Sequence, residues 1–129
     1  MPHLILEVSQ GVQIDENELL SAANHALFAT GQFKEAKDIK SRIHRTHASL
    51  IGLGADDGEL FVSARLLIMA GRDDATKHAL VETVLSSLQA VIGQAHTNVQ
   101  YAVDLQELSP YYHLNENACR LALKFTRNC

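Results

Sequence analysis

The stretch Pro2-His3-Leu4-Ile5-Leu6-Glu7-Val8 decides how the rest of the chain is read. Leu4, Leu6 and Val8 fall on one parity, His3, Ile5 and Glu7 on the other. Side chains on a strand alternate between faces, so this is a strand with one apolar and one mixed face. Gly11 breaks the alternation, and Asp15 with Glu18 three residues on has the spacing of a capping box. Leu19, Leu20, Ala23 and Leu27 follow at helical spacing, and Thr30-Gly31 is a stop signal. Alternation resumes over Ile39–His47, with Ile39, Ser41 and Ile43 opposite Lys40, Arg42 and His44. The first half therefore reads strand–helix–strand.

The same order recurs roughly 60 residues later, with Gly71 matching Gly11, Val99 matching Ile39 and Val103 matching Ile43. Gly52, Gly54 and Ala55-Asp56-Asp57-Gly58 form a turn-rich join. A strand is predicted over Leu60–Ala70, with Leu60, Val62, Ala64, Leu66 and Ile68 on one face. A helix follows from about Asp73, its apolar stripe formed by Val81, Val84, Leu85, Leu88, Val91 and Ile92. Val99, Tyr101, Val103 and Leu105 mark the last strand. Each unit is expected to make a right-handed crossover between parallel strands. Two units side by side give an α/β (α+β) fold: a four-stranded sheet with two helices on one face. The other face carries Leu or Ile as well as charge, and further subunits are expected to cover it.

The 129 residues argue for one domain, with units at about 2–50 and 59–107 and a tail over 108–129. In the tail, Tyr111, Tyr112 and Leu114 are apolar enough to dock, and Asn115 could cap a short helix carrying Leu121, Ala122 and Phe125. A net charge of −4 argues against general nucleic-acid binding, so an anionic ligand would need a local cluster of cations. Cys119 and Cys129 form neither a CxxC pair nor a disulfide framework, which fits reduced thiols in a cytoplasmic protein. Cys119 reads as a small core residue of the tail. No signal peptide and no stretch long enough for a membrane span is visible.

Pro2-His3-Leu4-Ile5-Leu6-Glu7, Ala29-Thr30-Gly31, Ser41-Arg42-Ile43-His44, Ala70-Gly71-Arg72, and Leu114-Asn115 through Leu123-Lys124 together resemble the 5-carboxymethyl-2-hydroxymuconate isomerase family of the tautomerase superfamily. The resemblance covers nearly the whole chain. It implies the tautomerase fold, a homotrimer, no cofactor, and 1,3-proton transfer on a small carboxylated enol or dienone from aromatic-acid breakdown. The base it implies is the amino-terminal nitrogen of Pro2. Relatives use the same proline for hydration, decarboxylation or dehalogenation, and a non-enzymatic homologue is the reading if Met1 is retained.

The chemistry suits these residues. A base for keto–enol exchange needs a pKa near the working pH. A free α-amino group titrates at roughly 8, and nearby cations lower that value. The nitrogen is basic only once Met1 is gone, because with Met1 attached it is a tertiary amide. Without a role in chemistry, Pro2 would simply start an edge strand. Carboxylates call for Arg. Arg72 falls at the family's arginine and would bind a carboxylate or polarise the carbonyl. A second family arginine aligns with Lys40, so either Arg42 takes its role or the substrate differs. Pro2, Arg72 and Arg42 are the expected catalytic residues, Lys40 and His3 the expected substrate-binding ones. The second unit has Gln100 and Ala102 where the first has Lys40 and Arg42, and Arg72 falls opposite Val12. One site per chain is therefore expected. No metal site is expected: His44 and His47 would point to opposite strand faces, and His3, His25, His78, His96 and His113 lack ligand spacing. Glu7 shares a face with His3 and could form a cross-strand salt bridge.

Overall fold

The computed structural model describes residues 1–54 and 58–115. In chain order the elements are β1 (His3–Val8), α1 (Glu16–Ala29), a 3-10 turn (Ala36–Asp38), β2 (Lys40–Arg45), β3 (Leu60–Ile68), α2 (Asp74–Ile92) and β4 (Val99–Glu107). The sheet runs β2-β1-β3-β4. β1 and β2 are parallel, as are β3 and β4, and the two pairs join by antiparallel pairing of β1 with β3. This is the doubled unit read from the sequence.

Both helices pack on one sheet face. Leu4, Leu6 and Val8 of β1 and Val62, Ala64, Leu66 and Ile68 of β3 meet Leu19, Ala23 and Leu27 of α1 and Leu80, Val84, Leu88 and Ile92 of α2. Each fully buried Leu contributes about 1.5–3 kcal/mol relative to exposure. Val99, Tyr101, Val103 and Leu105 pack at the margin of this core. The helices open alike: the Asp15 carboxylate accepts the Glu18 N–H at 3.2 Å, and that of Asp73 accepts the Thr76 N–H at 2.8 Å. Gly31, with φ 77°, lets the chain leave α1 in a left-handed turn that an L side chain would strain.

Three boundaries and contacts differ from the sequence reading. β2 stops at Arg45 rather than His47, because β1 ends at Val8, whose carbonyl takes its last bond from the Thr46 N–H at 3.0 Å. β3 stops at Ile68 rather than Ala70, because beyond His3 the neighbouring strand offers only Pro2, which has no N–H. The buried stripe of α2 keeps Val84, Leu88 and Ile92 as expected and adds Leu80 and Ser87, while Val81, Leu85 and Val91 are half-buried at its flanks. Ser87 is tolerated inside because its hydroxyl donates to the Thr83 carbonyl at 2.6 Å. The expected helix after Asn115, with Leu121, Ala122, Phe125 and Cys119, lies outside the described residues.

The second sheet face carries His3, Ile5 and Glu7 between Lys40, Arg42 and His44 on one side and Leu67, Arg65 and Ser63 on the other. No helix covers it. The segment after β4 covers one end: Leu108 N–H bonds the Ile68 carbonyl at 2.7 Å, and a turn closed by the Tyr112 N–H on the Ser109 carbonyl at 3.0 Å brings Tyr112 onto His3. Of the expected docking residues, Tyr112 and Leu114 are half-buried, whereas Tyr111 is 92% exposed.

Candidate active site

Three chain segments converge where β1 begins. The Lys40 backbone N–H donates to the Pro2 carbonyl at 3.1 Å and ties the start of β2 to the buried Pro2. On the other flank β3 runs out beside the amino terminus. Gly71, with φ 121° and open space around it, then turns the chain so that Arg72 folds back over the first unit. Arg72 Nε donates to Gln32 Oε1 at 3.1 Å, NH2 to the Gln32 carbonyl at 2.9 Å, and NH1 to the Met69 carbonyl at 3.3 Å. Its guanidinium lies 5.1 Å from the centroid of the Phe33 ring, itself buried. A stacked, triply bonded guanidinium is held in place rather than solvated.

Lys40 is half-buried, and its ammonium donates to the Asp38 carbonyl at 3.1 Å. Asp38 is oriented in turn, since its carboxylate accepts the Glu35 N–H at 3.3 Å. Arg42 stands one strand pair further along and is exposed; its NH1 lies 3.4 Å from His3 Nδ1. On the opposite edge of the imidazole, Nε2 is 2.9 Å from the Tyr112 hydroxyl, and the two rings meet edge to face at 5.8 Å.

The terminal amine here belongs to Met1, one residue before the Pro2 nitrogen. Burial holds its proton affinity below that of an ordinary terminal amine; Asp38 opposes the shift, and Arg72 and Lys40 add to it. His3 is likewise held below the usual imidazole range, by burial first and then by Arg42, Lys40 and the terminal amine. Thus Lys40 and Arg72 act on the amine, whereas Arg42 acts on His3. Among the described residues, ion pairs involve Lys37, Arg45 and Lys77 with carboxylates, and none involves Lys40, Arg42 or Arg72. These three cations keep their charge available to a ligand.

The sequence residues Pro2, His3, Lys40, Arg42 and Arg72 therefore gather at one end of the sheet. Four others escaped the sequence reading. Gln32 and Phe33 carry no local signal, because they act on a residue 40 positions away. Tyr112 was read only as an apolar docking residue. Arg65 was legible by parity, since it opposes the apolar face of β3. It shares a cross-strand row with Arg42, Ile5 and Asp104, beside a cavity of about 260 Å³ lined by Ile5, Glu7, Arg42, His44, Ser63 and Arg65. Glu7 faces His44 and Ser63, and among the described residues it makes no ion pair. Among the described residues no group of three His, Cys, Asp or Glu comes together to hold a metal, and no helix is long and apolar enough to cross a membrane.

A four-stranded mixed sheet with two helices on one face, built from a doubled unit, is the tautomerase fold. The family model of 5-carboxymethyl-2-hydroxymuconate isomerase matches residues 2–123, and the chain belongs to that family. Its structure is similar to that of a 5-carboxymethyl-2-hydroxymuconate isomerase from Deinococcus radiodurans R1, at 24% identity and a TM-score of 0.79, covering 90% of this chain and 89% of that one. It is similar to a 5-carboxymethyl-2-hydroxymuconate delta-isomerase at 16% identity and a TM-score of 0.79, covering 91% and 89%. A fused 4-OT wild-type symmetric trimer matches at 21% identity and a TM-score of 0.64, covering 89% and 92%. No curated protein matches the chain.

Proposed function

We propose that the chain is a tautomerase whose Pro2 nitrogen, freed by removal of Met1, carries out 1,3-proton transfer on a carboxylated enol or dienone such as 5-carboxymethyl-2-hydroxymuconate. The base takes a proton from one atom of the substrate and returns it to another, so no cofactor enters the balance. The observation that carries this reading is that Lys40 on β2 and Arg72 in the turn after β3 gather at the start of β1, where burial, with both cations adding to it and Asp38 opposing, lowers the basicity of the Met1 amine next to the Pro2 nitrogen. An amine so placed is neutral at a pH where an ordinary one is protonated, and it can therefore accept a proton. The same cations, unpaired among the described residues, offer electrostatic complementarity to substrate carboxylates. Arg72 polarises the carbonyl or grips a carboxylate, Lys40 and Arg42 hold the remaining negative charge, and His3 flanks the base. A homotrimer accompanies this reading: the sheet face that no helix of the described residues covers and the symmetric 4-OT trimer of the same fold support it.

The test compares protein that has lost Met1, verified by intact mass, with protein that retains it, on the same enol at the same pH. Only the processed form should turn over. Its kcat/KM should rise with pH along one basic limb, displaced to lower pH by the burial and the cations that lower the basicity of the Met1 amine. Equal turnover by the Met1 form would move the base elsewhere, with His3 the first residue to examine.

A further inference from the structure

His3 sits between two partners of different chemistry, and this fixes where its proton is. Arg42 has only N–H donors and no acceptor, so its contact with His3 Nδ1 at 3.4 Å is a hydrogen bond only in the tautomer whose Nδ1 presents a lone pair. A neutral imidazole with a bare Nδ1 carries its hydrogen on Nε2. That Nε2–H faces the Tyr112 hydroxyl at 2.9 Å, so the phenol oxygen accepts. The phenol's own hydrogen is then left over, and among the described residues nothing accepts it. Charging the imidazole would set it against Arg42, Lys40 and the terminal amine, and burial adds to that cost.

We propose that Arg42, His3 and Tyr112 form a directed hydrogen-bond chain, Arg42 N–H to His3 Nδ1 and His3 Nε2–H to Tyr112 Oη, whose free end is a phenolic O–H offered to an oxygen of the anionic substrate. Tyr112 is thereby a further binding group of the site, and His3 a positioning residue rather than a substrate contact. The proposal rests on the tautomerase reading for the identity of the substrate oxygen; the chain itself does not. Donation along a line of hydrogen bonds polarises each member, so a phenol that accepts from an imidazole and is backed by a guanidinium is a stronger donor than a free one. The bond is strongest where negative charge grows, at the dienolate oxygen, and no proton leaves the tyrosine. The turn at Ser109–Tyr112 supplies the placement: the Tyr111 N–H bonds Ser109 Oγ at 3.2 Å and the Tyr112 N–H bonds the Ser109 carbonyl at 3.0 Å. Arg42 then acts through the relay rather than on the base, consistent with its charge reaching His3 and not the amine.

Two measurements decide the matter. Nitrogen-15 NMR of the resting protein should find His3 neutral at pH 7, with hydrogen on Nε2 and none on Nδ1. Tyr112→Phe, which keeps the ring against His3, should lower kcat on 5-carboxymethyl-2-hydroxymuconate by about 100-fold while KM changes little. His3→Gln, whose amide can accept from Arg42 and donate to Tyr112, should retain more of the rate than His3→Ala. Hydrogen on Nδ1 overturns the chain whatever the activity. A kcat for Tyr112→Phe within about twofold of the parent overturns the substrate contact. If processed wild-type protein does not turn over this enol at all, the proposed function fails, and the contact proposed for Tyr112 fails with it; the NMR result then judges the chain alone.

Discussion

On the uncovered sheet face, the first unit pairs His3 with Lys40, Ile5 with Arg42 and Glu7 with His44. The second unit pairs Phe61 with Gln100, Ser63 with Ala102 and Arg65 with Asp104. Beneath these faces the scaffolds agree: parallel strands, a helix opened by an aspartate cap, and a strip of buried Leu, Val and Ala. The conserved architecture is thus carried by the buried parity and the caps, while the exposed parity has been free to diverge. The first unit's half of the face concentrates cations, of which Lys40 and Arg42 have no acidic partner among the described residues, and the second unit's half sets its arginine opposite an aspartate. The division is not complete, because Arg72 leaves the second unit to pack on Gln32 and Phe33 of the first. Duplication supplies two frames, and a single crossing arginine makes one of them a candidate site.

The largest effect that would sharpen this contrast is on Arg72. Arg72→Ala should lower turnover of a carboxylated enol by about 100-fold, the scale of losing one preorganised electrostatic contact. A rise in KM alone would mean that Arg72 holds the substrate equally in ground and transition states. Unchanged kinetics with a lowered melting temperature would reduce its role to anchoring the Gln32–Phe33 segment. A smaller effect is expected from the equivalent pair Lys40 and Gln100. Lys40→Gln should lower kcat/KM by about tenfold, the scale of one hydrogen bond to a charged group, whereas Gln100→Ala should leave it unchanged. A comparable loss from Gln100→Ala would break the assignment of one site per chain.

The smallest effect concerns the caps. Asp73→Ala and Asp15→Ala should each lower the melting temperature by a few degrees, Asp73→Ala more, since its bond is the shorter. The hydrogen bond from Thr76 holds the Asp73 carboxyl below the 3.8 of an unperturbed aspartate. A carboxyl with a depressed folded pKa stabilises the fold above its unfolded value and loses that contribution as pH falls through its folded one. The difference between parent and Asp73→Ala should therefore be full at neutral pH and shrink below pH 3.8. A pH-independent difference would assign the effect to helix propensity instead of the cap.

The four strands, the two helices and their common face were legible because strand parity and the repeat are local properties of the chain, whereas the strand order β2-β1-β3-β4 was not. Leu4, Leu6 and Val8 needed only each other to be recognised as an inward face. The strand ends were less so: what stops β3 is the missing N–H of Pro2, a residue on a different strand. The one polar member of the α2 stripe, Ser87, was not legible, because what makes its burial tolerable is the bond of its hydroxyl to the Thr83 carbonyl. At the candidate site, Pro2, Arg72 and Lys40 came from the family resemblance, and strand parity put Arg42 on the same face as Lys40. Their partners were not legible, because Gln32 and Tyr112 meet Arg72 and His3 across 40 and 109 residues of chain. No pattern within one element encodes such a meeting.

The strand order places the start of the chain in the middle of the sheet. In most domains the first few residues can be trimmed or extended with little consequence. Here Pro2 is buried, Met1 is half-buried, and β1 bonds to neighbours on both sides while Leu4, Leu6 and Val8 are fully enclosed. Deleting these residues would remove the seam between the two units rather than fray an edge. For anyone handling this protein, the first residues are the part of the chain least open to engineering.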